Sequence, residues 1–339
     1  MVHALIDGEA TILPFARGGT SSARAMGDSL IMPMQPRQLS LPHDLPHALA
    51  LADVSALSIP HVADWPYRFS SWALDNPLNA HAWVDASSHL LGWAVMQTPF
   101  WAIDCIVHPD APSWLYPAML AWAQARAGAM AAVGEGRPMW FVALATACVN
   151  QRRDLTACGF EDVSEAGEDA WSKVVFELAD DRVLVPLPLP HGLQIRSLKL
   201  DSEIQAYVDL HREVFQSDSM TSGWRTNITH MPDYRNELDL VISSAQGELH
   251  GFCVAWLRHL ATGETVGQIE PLGVRERYRG QKLSRALVAE AIRRLRTQGA
   301  RRIYVETDKQ RSAAMAAYTS MGFQRAHDVL VYRYVVADH

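Results

Sequence analysis

The sequence has no long hydrophobic run. Although 49% of its 339 residues are hydrophobic, no stretch approaches the roughly 18 consecutive apolar residues that a membrane-spanning helix requires. The first residues, "MVHALIDGEATILPFARGG", also lack the basic-then-apolar pattern of a secretion signal. These absences predict a cytoplasmic protein that has no membrane partner.

Cysteine is scarce, and its spacing is not that of a metal site or a disulfide framework. The four cysteines are Cys105, Cys148, Cys158 and Cys253. They show no CxxC pattern and mostly lie in apolar runs, which favours buried thiols in a reducing compartment. His43 and His47 have helical spacing, but Pro42 and Pro46 argue against a helix at that point. We therefore expect no bound metal.

The chain also lacks an excess of positive charge. Its formal net charge is -7, which gives no broad attraction for nucleic acid. The length exceeds one ordinary domain and fits two domains of about 150 residues each. A basic site, if present, should therefore be local, and two cores are expected.

Composition shifts divide the chain into four parts. Residues 1–33, rich in Gly, Ala and Ser, show no periodicity and are interpreted as a loosely ordered extension. Residues 179–192 contain three prolines spaced two apart, which indicates an extended linker. The flanking segments, 34–178 and 193–339, each alternate strand-like and helix-like stretches, and we predict two α/β-type domains.

A basic loop joins a strand to a long helix in the second half. The strand "TVGQIEPLGV" is followed by "RERYRGQK" and by a helical pattern that begins at Leu283. The first amides of a helix have no partner within the helix and attract anions, so this junction suits a phosphate. An ordinary strand-to-helix turn with polar surface residues is the other interpretation.

The strand before this loop contains Glu270-Pro271. Because proline cannot donate to a sheet, it indicates an edge or a bulge. A bulge would separate this strand from its neighbour and expose backbone groups to an extended, amide-bearing chain such as pantetheine. The phosphate loop would lie at one end of that gap.

The order strand, "RYRGQKLS" loop, helix, strand, "YTSMGF" helix resembles the core of the GCN5-related N-acetyltransferase (GNAT) superfamily. Arg277 and Gly280 match the family's loop, whereas Lys282 replaces a small residue. The resemblance implies acetyl-CoA as co-substrate. The cofactor-binding residues that it implies are Leu272, Gly273, Val274, Arg279, Gly280, Gln281, Lys282, Leu283 and Ser284. Arg311 stands where the family often has Asn, and it either reaches a phosphate or is solvated.

A fainter copy of the same design lies in the first half. "LTACGF" (155–160) aligns with "YTSMGF" (318–323), and strand-like runs flank both. The first copy has no Arg-Gly loop, and Leu155 stands where the second has Tyr318. The resemblance therefore implies an α/β fold of two tandem GNAT-like domains, each a twisted, mostly antiparallel sheet flanked by helices. The first copy would be degenerate and the second would bind the cofactor, an arrangement similar to that of mycothiol synthase-like proteins.

The family's proton-transfer positions fall on Glu270 and Tyr318. The resemblance implies that Glu270 accepts a proton from the amine, directly or through water, and that Tyr318 protonates the departing thiolate. A carboxylate paired with a neighbouring Arg and a core tyrosine are the respective structural alternatives.

The sequence indicates the acceptor site less clearly than the cofactor site. Aromatic and charged residues in "WPYRFSSW" and "SDSMTSGWRTN" are candidates to wall a cleft between the domains, and interdomain packing is the alternative. These candidates are Trp65, Tyr67, Arg68 and Trp224. The expected activity is acetyl transfer to a small-molecule amine by a monomer or homodimer. A non-catalytic acyl-CoA-binding or scaffold protein is the competing hypothesis.

Overall fold

A computed structural model describes residues 35–41, 43–54, 61–165, 173–179 and 187–336. The predicted N-terminal extension and residues 180–186 of the predicted linker lie outside these ranges. The strands are β1 (Gln35–Gln38), β2 (Ala80–Val84), β3 (Leu90–Gln97), β4 (Ala102–Val107), β5 (Met139–Ala145), β6 (Glu161–Asp162), β7 (Lys173–Leu178), β8 (Leu193–Ser197), β9 (Asp239–Ser244), β10 (Leu249–His259), β11 (Thr265–Val274), β12 (Arg302–Asp308) and β13 (Gln324–Val335). The α-helices are α1 (Leu45–Val54), α2 (Trp65–Phe69), α3 (Leu115–Ala132), α4 (Val149–Ala157), α5 (Ile204–Phe215), α6 (Ser222–Thr229), α7 (Leu283–Thr297) and α8 (Ser312–Ser320).

All these strands belong to one mixed sheet, where the sequence predicted a separate sheet in each domain. The order is β1-β2-β3-β4-β5-β13-β7-β12-β11-β10-β9-β8, and the short β6 pairs with β13. Among the described strands, only the pairs β4·β5 and β11·β12 are parallel. The predicted α/β class and the flanking helices are confirmed, but the two sheets are continuous.

The continuity comes from an exchange of strands between the halves. Strand β7, from the first half, pairs with β12 of the second half. Strand β13, the last of the second half, pairs with both β5 and β7. Each half therefore completes the other's sheet, and two strands lie across the predicted domain boundary. The division at the linker itself stays a prediction.

Buried contacts also join the halves away from the exchanged strands. Gln268 on β11 accepts hydrogen bonds from the backbone N–H groups of Val62 (2.7 Å) and Ala63 (2.8 Å). The Arg258 guanidinium donates to both carboxylate oxygens of Asp53, at 2.9 and 2.8 Å. Because buried polar groups need partners, these contacts fix the first half against the second.

His43 and His47 do not share a helix, as expected, although Pro46 does not prevent a helix from starting beside it. Helix α1 begins at Leu45 and includes Pro46 in its first turn. A proline is tolerated there because the N–H groups of the first turn have no acceptor within the helix. Among the described residues, no group of three or more His, Cys, Asp or Glu side chains is arranged to hold a metal ion. None of the described helices is long and apolar enough to cross a membrane.

Candidate active site

The parallel strands β11 and β12 pair over only part of their length. Val266–Ile269 are in register with Arg302–Val305, and beyond these residues no pairing joins the two strands. On the other side of β11, the register with β10 shifts between Cys253 and Ala255, opposite Glu270 and Pro271. The predicted bulge is confirmed, and the Glu270-Pro271 peptide bond is cis. Strands β11 and β12 therefore separate where the bulge lies, and a gap opens between them.

The gap forms part of a groove with a volume of about 990 Å³. The predicted site residues that line it are Glu270, Leu272, Gly273, Val274, Arg279, Ser284, Arg311 and Tyr318. Helices α7 and α8 and the end of α5 form its walls. The fold thus brings the two predicted catalytic residues and most of the predicted cofactor-binding residues to one groove.

Gly273, on β11, lies very close to the aromatic ring of Phe252. A Cβ atom at this position would overlap the Phe252 side chain on the paired strand β10. Any residue larger than glycine would have to displace the Phe252 ring and the Val214 side chain on α5. The requirement for glycine comes from this close approach and not from an unusual backbone conformation.

The basic loop runs along the surface to the start of α7. Gly280 has a φ of 78° and Lys282, the N-cap residue, has a φ of 61°. The Ala286 amide donates to the Lys282 carbonyl, so the amides of residues 283 to 285 precede this helical bond and are oriented along the helix axis. Gln281 and Lys282 are exposed, whereas the Leu283 side chain packs in the core. The sequence showed that Lys282 replaces a small residue but not that its backbone is left-handed.

Two carboxylates stand at the base of the gap. Glu270 is half-buried, and burial is the main reason that its pKa rises to about 8; the negative charges of Glu306 and Asp64 add to the effect. Glu306 forms an ion pair with Lys173, which keeps the pKa of Glu306 below its usual value despite burial. Glu270 is therefore the carboxylate of the pair that exchanges a proton near neutral pH.

Sequence reasoning missed both Lys173 and Glu306. Glu306 occupies the position on β12 that corresponds to Glu270 on β11, a relationship that appears only once the register of the two strands is known. Lys173 begins β7, in the first half of the chain, and reaches the groove only because β7 lies beside β12. No local pattern in the sequence indicates this placement.

Tyr318 lies on α8, with only 9% of its surface exposed. Its ring lies 6.2 Å from that of Phe176 and 5.7 Å from that of Phe323, measured between centroids. Burial, followed by the charge of Glu270, raises its pKa above the ordinary value. The phenol therefore keeps its proton at neutral pH and is able to donate it.

The two arginines predicted at the cofactor differ in their surroundings. Arg311 is the N-cap of α8, is mostly exposed and donates to Asp308 at 2.9 Å. Arg279 is also mostly exposed, and its guanidinium lies 3.9 Å from the carboxylate of Glu276. Both side chains border the groove with their charged ends accessible, as contacts to a phosphate would require.

The predicted acceptor residues fall into two groups. Tyr67 and Trp224 are buried and pack against each other with tilted rings whose centroids lie 5.2 Å apart. The Trp224 indole N–H donates to Ser70 Oγ at 3.2 Å. Their burial favours the packing role. Trp65 and Arg68 line a second, smaller cavity of about 230 Å³ in the first half. Arg68 there makes two hydrogen bonds to Asp104, at 2.7 and 2.8 Å.

Comparison with known proteins finds a family model that matches most of the second half. Residues 204–323 match the model of the acetyltransferase (GNAT) family. Curated relatives include the mycothiol acetyltransferases of Kocuria rhizophila, 29% identical over 154 residues, and of Sanguibacter keddieii, 34% identical over 148 residues. These matches cover 43% and 41% of this chain. The chain spans about half the length of these relatives, 50% and 46% respectively.

Solved structures share the fold over nearly the whole chain. A GCN5-related N-acetyltransferase from Sphaerobacter thermophilus superposes with a TM-score of 0.60 at 18% identity, covering 91% of this chain and 98% of that one. A tandem GNAT protein from the clavulanic acid biosynthesis pathway superposes with a TM-score of 0.62 at 14% identity, covering 91% and 100%. The predicted tandem arrangement is thereby confirmed at the level of the fold.

Proposed function

Since this chain has the tandem GNAT fold and its second half is a GNAT-family domain, we propose that it transfers an acetyl group from acetyl-CoA to the amine of a small molecule. The observation that carries the proposal is the gap between β11 and β12. It opens after a bulge, ends at the start of α7 and is bordered by Glu270 and Tyr318. A carboxylate that exchanges its proton near neutral pH and a protonated phenol on one groove suit both proton transfers of an acyl transfer.

The groove offers the cofactor two kinds of contact. No strand among the described residues pairs with residues 272 to 274 of β11 on their groove side, so their backbone groups can pair with the amides of pantetheine. The pyrophosphate would meet the first amides of α7, where Gly280 leaves open space and Arg279 brings positive charge. Lys282 is exposed and does not block this approach.

The transfer uses the groove's two titratable residues. The amine nitrogen attacks the thioester carbonyl as Glu270 takes a proton from it. The carbon–sulfur bond then breaks, and the Tyr318 hydroxyl gives its proton to the sulfur, so that an amide and free coenzyme A leave. Solvent returns the proton to Tyr318 and removes it from Glu270. Burial keeps the phenol protonated, and it keeps the carboxylate basic enough to accept a proton from an amine.

The relatives support the acetyl donor more directly than the acceptor. Their name refers to mycothiol, but this chain spans only about half of their length, so we propose an amine acceptor and do not carry mycothiol over to this protein. The competing hypothesis, an acyl-CoA-binding protein without catalysis, predicts the same cofactor groove. The titratable pair favours the enzyme.

Calorimetry and an activity assay on the full chain test the proposal. We expect one coenzyme A to bind per chain, and a panel of primary amines to release free coenzyme A from acetyl-CoA together with formation of the acetylated amine. Coenzyme A binding without transfer to any amine would favour the binding protein. Failure to bind coenzyme A would refute both hypotheses.

A further inference from the structure

The first half contains a strand gap that corresponds to the cofactor groove of the second. Strands β4 and β5 are parallel, like β11 and β12, and they pair only at Ala102 and Phe141. Beyond this pair the strands diverge, and the cavity of about 230 Å³ lies between residues 102–107 of β4 and 141–144 of β5. Both halves therefore have an opened pair of parallel strands at the corresponding place.

The first gap does not suit a pyrophosphate. Its strand leads into α3 through "HPDAPSW", where Pro109 and Pro112 have no N–H group to donate and Asp110 adds an exposed negative charge. The second half has the Arg-Gly loop at this point. The first half therefore has a gap between parallel strands, but it lacks the basic loop that would hold a phosphate.

The cavity in the first gap shares lining residues with an outer cavity and with the cofactor groove. Val107, Tyr116, Cys148 and Gln151 line both the inner cavity and an outer one of about 520 Å³, which exposed residues such as Pro109 and Asn150 border. At the opposite end, Lys173 lines both the inner cavity and the cofactor groove. The three cavities therefore follow one another across the molecule, and Lys173 is the side chain shared at the junction with the groove.

The lining changes in chemical character along this path. Apolar side chains, including Phe100, Ile106 and Leu144, form most of the inner cavity. The junction with the groove brings in the acidic groups, since Lys173 is paired there with Glu306 and Glu270 stands on the neighbouring strand. The carboxyl oxygens at this end can accept hydrogen bonds from an amino group, and an apolar body would fill the middle.

From this arrangement, and resting on the proposed acetyl transfer, we propose that the β4/β5 gap is the acceptor site, and that it takes an elongated primary amine whose apolar body lies between the strands and whose amino group points to Glu270 and Glu306. At about 30 Å³ for each water-sized unit, the inner cavity has room for roughly eight non-hydrogen atoms. An aromatic ring with a short alkyl chain has this size, and 2-phenylethylamine is a suitable probe.

Bulky substitutions at the junction of the inner and outer cavities test the site. Gln151, on α4, lines both cavities, whereas Thr156, on the same helix, lines neither and is exposed. In Gln151→Trp we expect kcat/KM for 2-phenylethylamine to fall at least about 10-fold, with no change in the Kd of coenzyme A, while Thr156→Trp matches the unmodified chain. A second pair, Cys148→Trp and Cys158→Trp, serves if the first does not fold, because both cysteines pack against the same core at opposite ends of α4.

Each outcome decides the inference separately from the proposed function. Equal kcat/KM in Gln151→Trp and Thr156→Trp would overturn the acceptor site and leave the acetyl transfer standing. A second coenzyme A per chain that is lost in Gln151→Trp would show that the gap binds cofactor, and would also overturn it. If no amine is acetylated, the proposed function fails, and calorimetry decides the site: binding of 2-phenylethylamine that is lost in Gln151→Trp supports it, and absence of binding overturns it.

Discussion

Glu270 and Glu306 hold equivalent places on two neighbouring parallel strands, since each directly follows the last paired residue, Ile269 or Val305. The gap thus begins with two carboxylates side by side. Glu306 can remain charged although it is buried, because Lys173 forms an ion pair with it. The proton therefore resides on Glu270, where its gain and loss near neutral pH can serve the reaction.

The pH dependence of the rate should follow Glu270. Its pKa is raised to about 8, so the basic form increases as the pH rises through that value, and kcat/KM should rise with pH and level off above it. Glu270→Gln should remove this limb. A rate profile from pH 5.5 to 10 measures the effect, and an unchanged limb in Glu270→Gln would assign the titration to another group.

Neighbouring charges should move this limb in opposite directions. The charge of Glu306 raises the pKa of Glu270, and that of Lys173 lowers it. Glu306→Gln should therefore shift the limb to lower pH, and Lys173→Met should shift it to higher pH. Lys173→Arg retains the charge and is the control. Shifts of the same sign in Glu306→Gln and Lys173→Met would contradict the electrostatic origin.

Replacing Tyr318 should separate catalysis from binding. Tyr318→Phe keeps the ring that packs near Phe176 and Phe323 but removes the hydroxyl. We expect turnover to fall by about 10²-fold or more, the range for a lost proton donor, with little change in coenzyme A affinity. Steady-state kinetics and calorimetry make the comparison. Unchanged turnover would leave Tyr318 with a packing role alone.

A carboxylate at the phosphate loop should abolish cofactor binding. Gly280→Glu places negative charge where the pyrophosphate is expected. Gly263 is the matched control because it too has positive φ, 83° against 78° at Gly280, and open space around its Cβ position, but it lies in the turn between β10 and β11 and not in the loop before α7. The backbone cost of Gly263→Glu should be similar, and calorimetry should show intact binding. Equal loss in both variants would trace the effect to folding.

The left-handed conformation of Lys282 predicts that glycine would be more stable there. Lys282→Gly should increase the free energy of unfolding by about 1 kcal/mol and retain coenzyme A binding, since the anion site depends on backbone amides. The neighbouring Gln281→Gly is the control: Gln281 does not have positive φ, so glycine should not stabilise it. Urea denaturation measures both. A loss of coenzyme A affinity in Lys282→Gly would show that the ammonium holds the phosphate.

The strand exchange predicts where the chain can be cut. A shortened chain beginning at residue 187 lacks β7 and exposes the edges of β12 and β13. We expect it to aggregate or lose coenzyme A binding, because one edge of β12 and both edges of β13 become unpaired. A chain beginning at residue 173 keeps β7 and should retain more structure by circular dichroism. Equal folding of the two would mean that β7 contributes little to the second half.

Local features of the site could be predicted from the sequence. The bulge follows from Pro271, which cannot donate to a sheet, and the anion site follows from the Arg-Gly loop before Leu283. The internal repeat, "LTACGF" and "YTSMGF", likewise indicates a tandem fold. Each of these motifs is a short run of neighbouring residues, so the chemistry of the residues themselves determines the local structure.

Only the tertiary structure placed Lys173 beside Glu306, joined the two sheets and set the β4/β5 gap next to the cofactor groove. The strand that carries Lys173 and the strand that carries Glu306 belong to different halves of the chain, and their pairing rests on backbone hydrogen bonds that nearly any residue can make. Side-chain patterns therefore carry little information about which strands become neighbours. The sequence determined the parts of the site, and the exchange of β7 and β13 decided which parts of the two halves face each other.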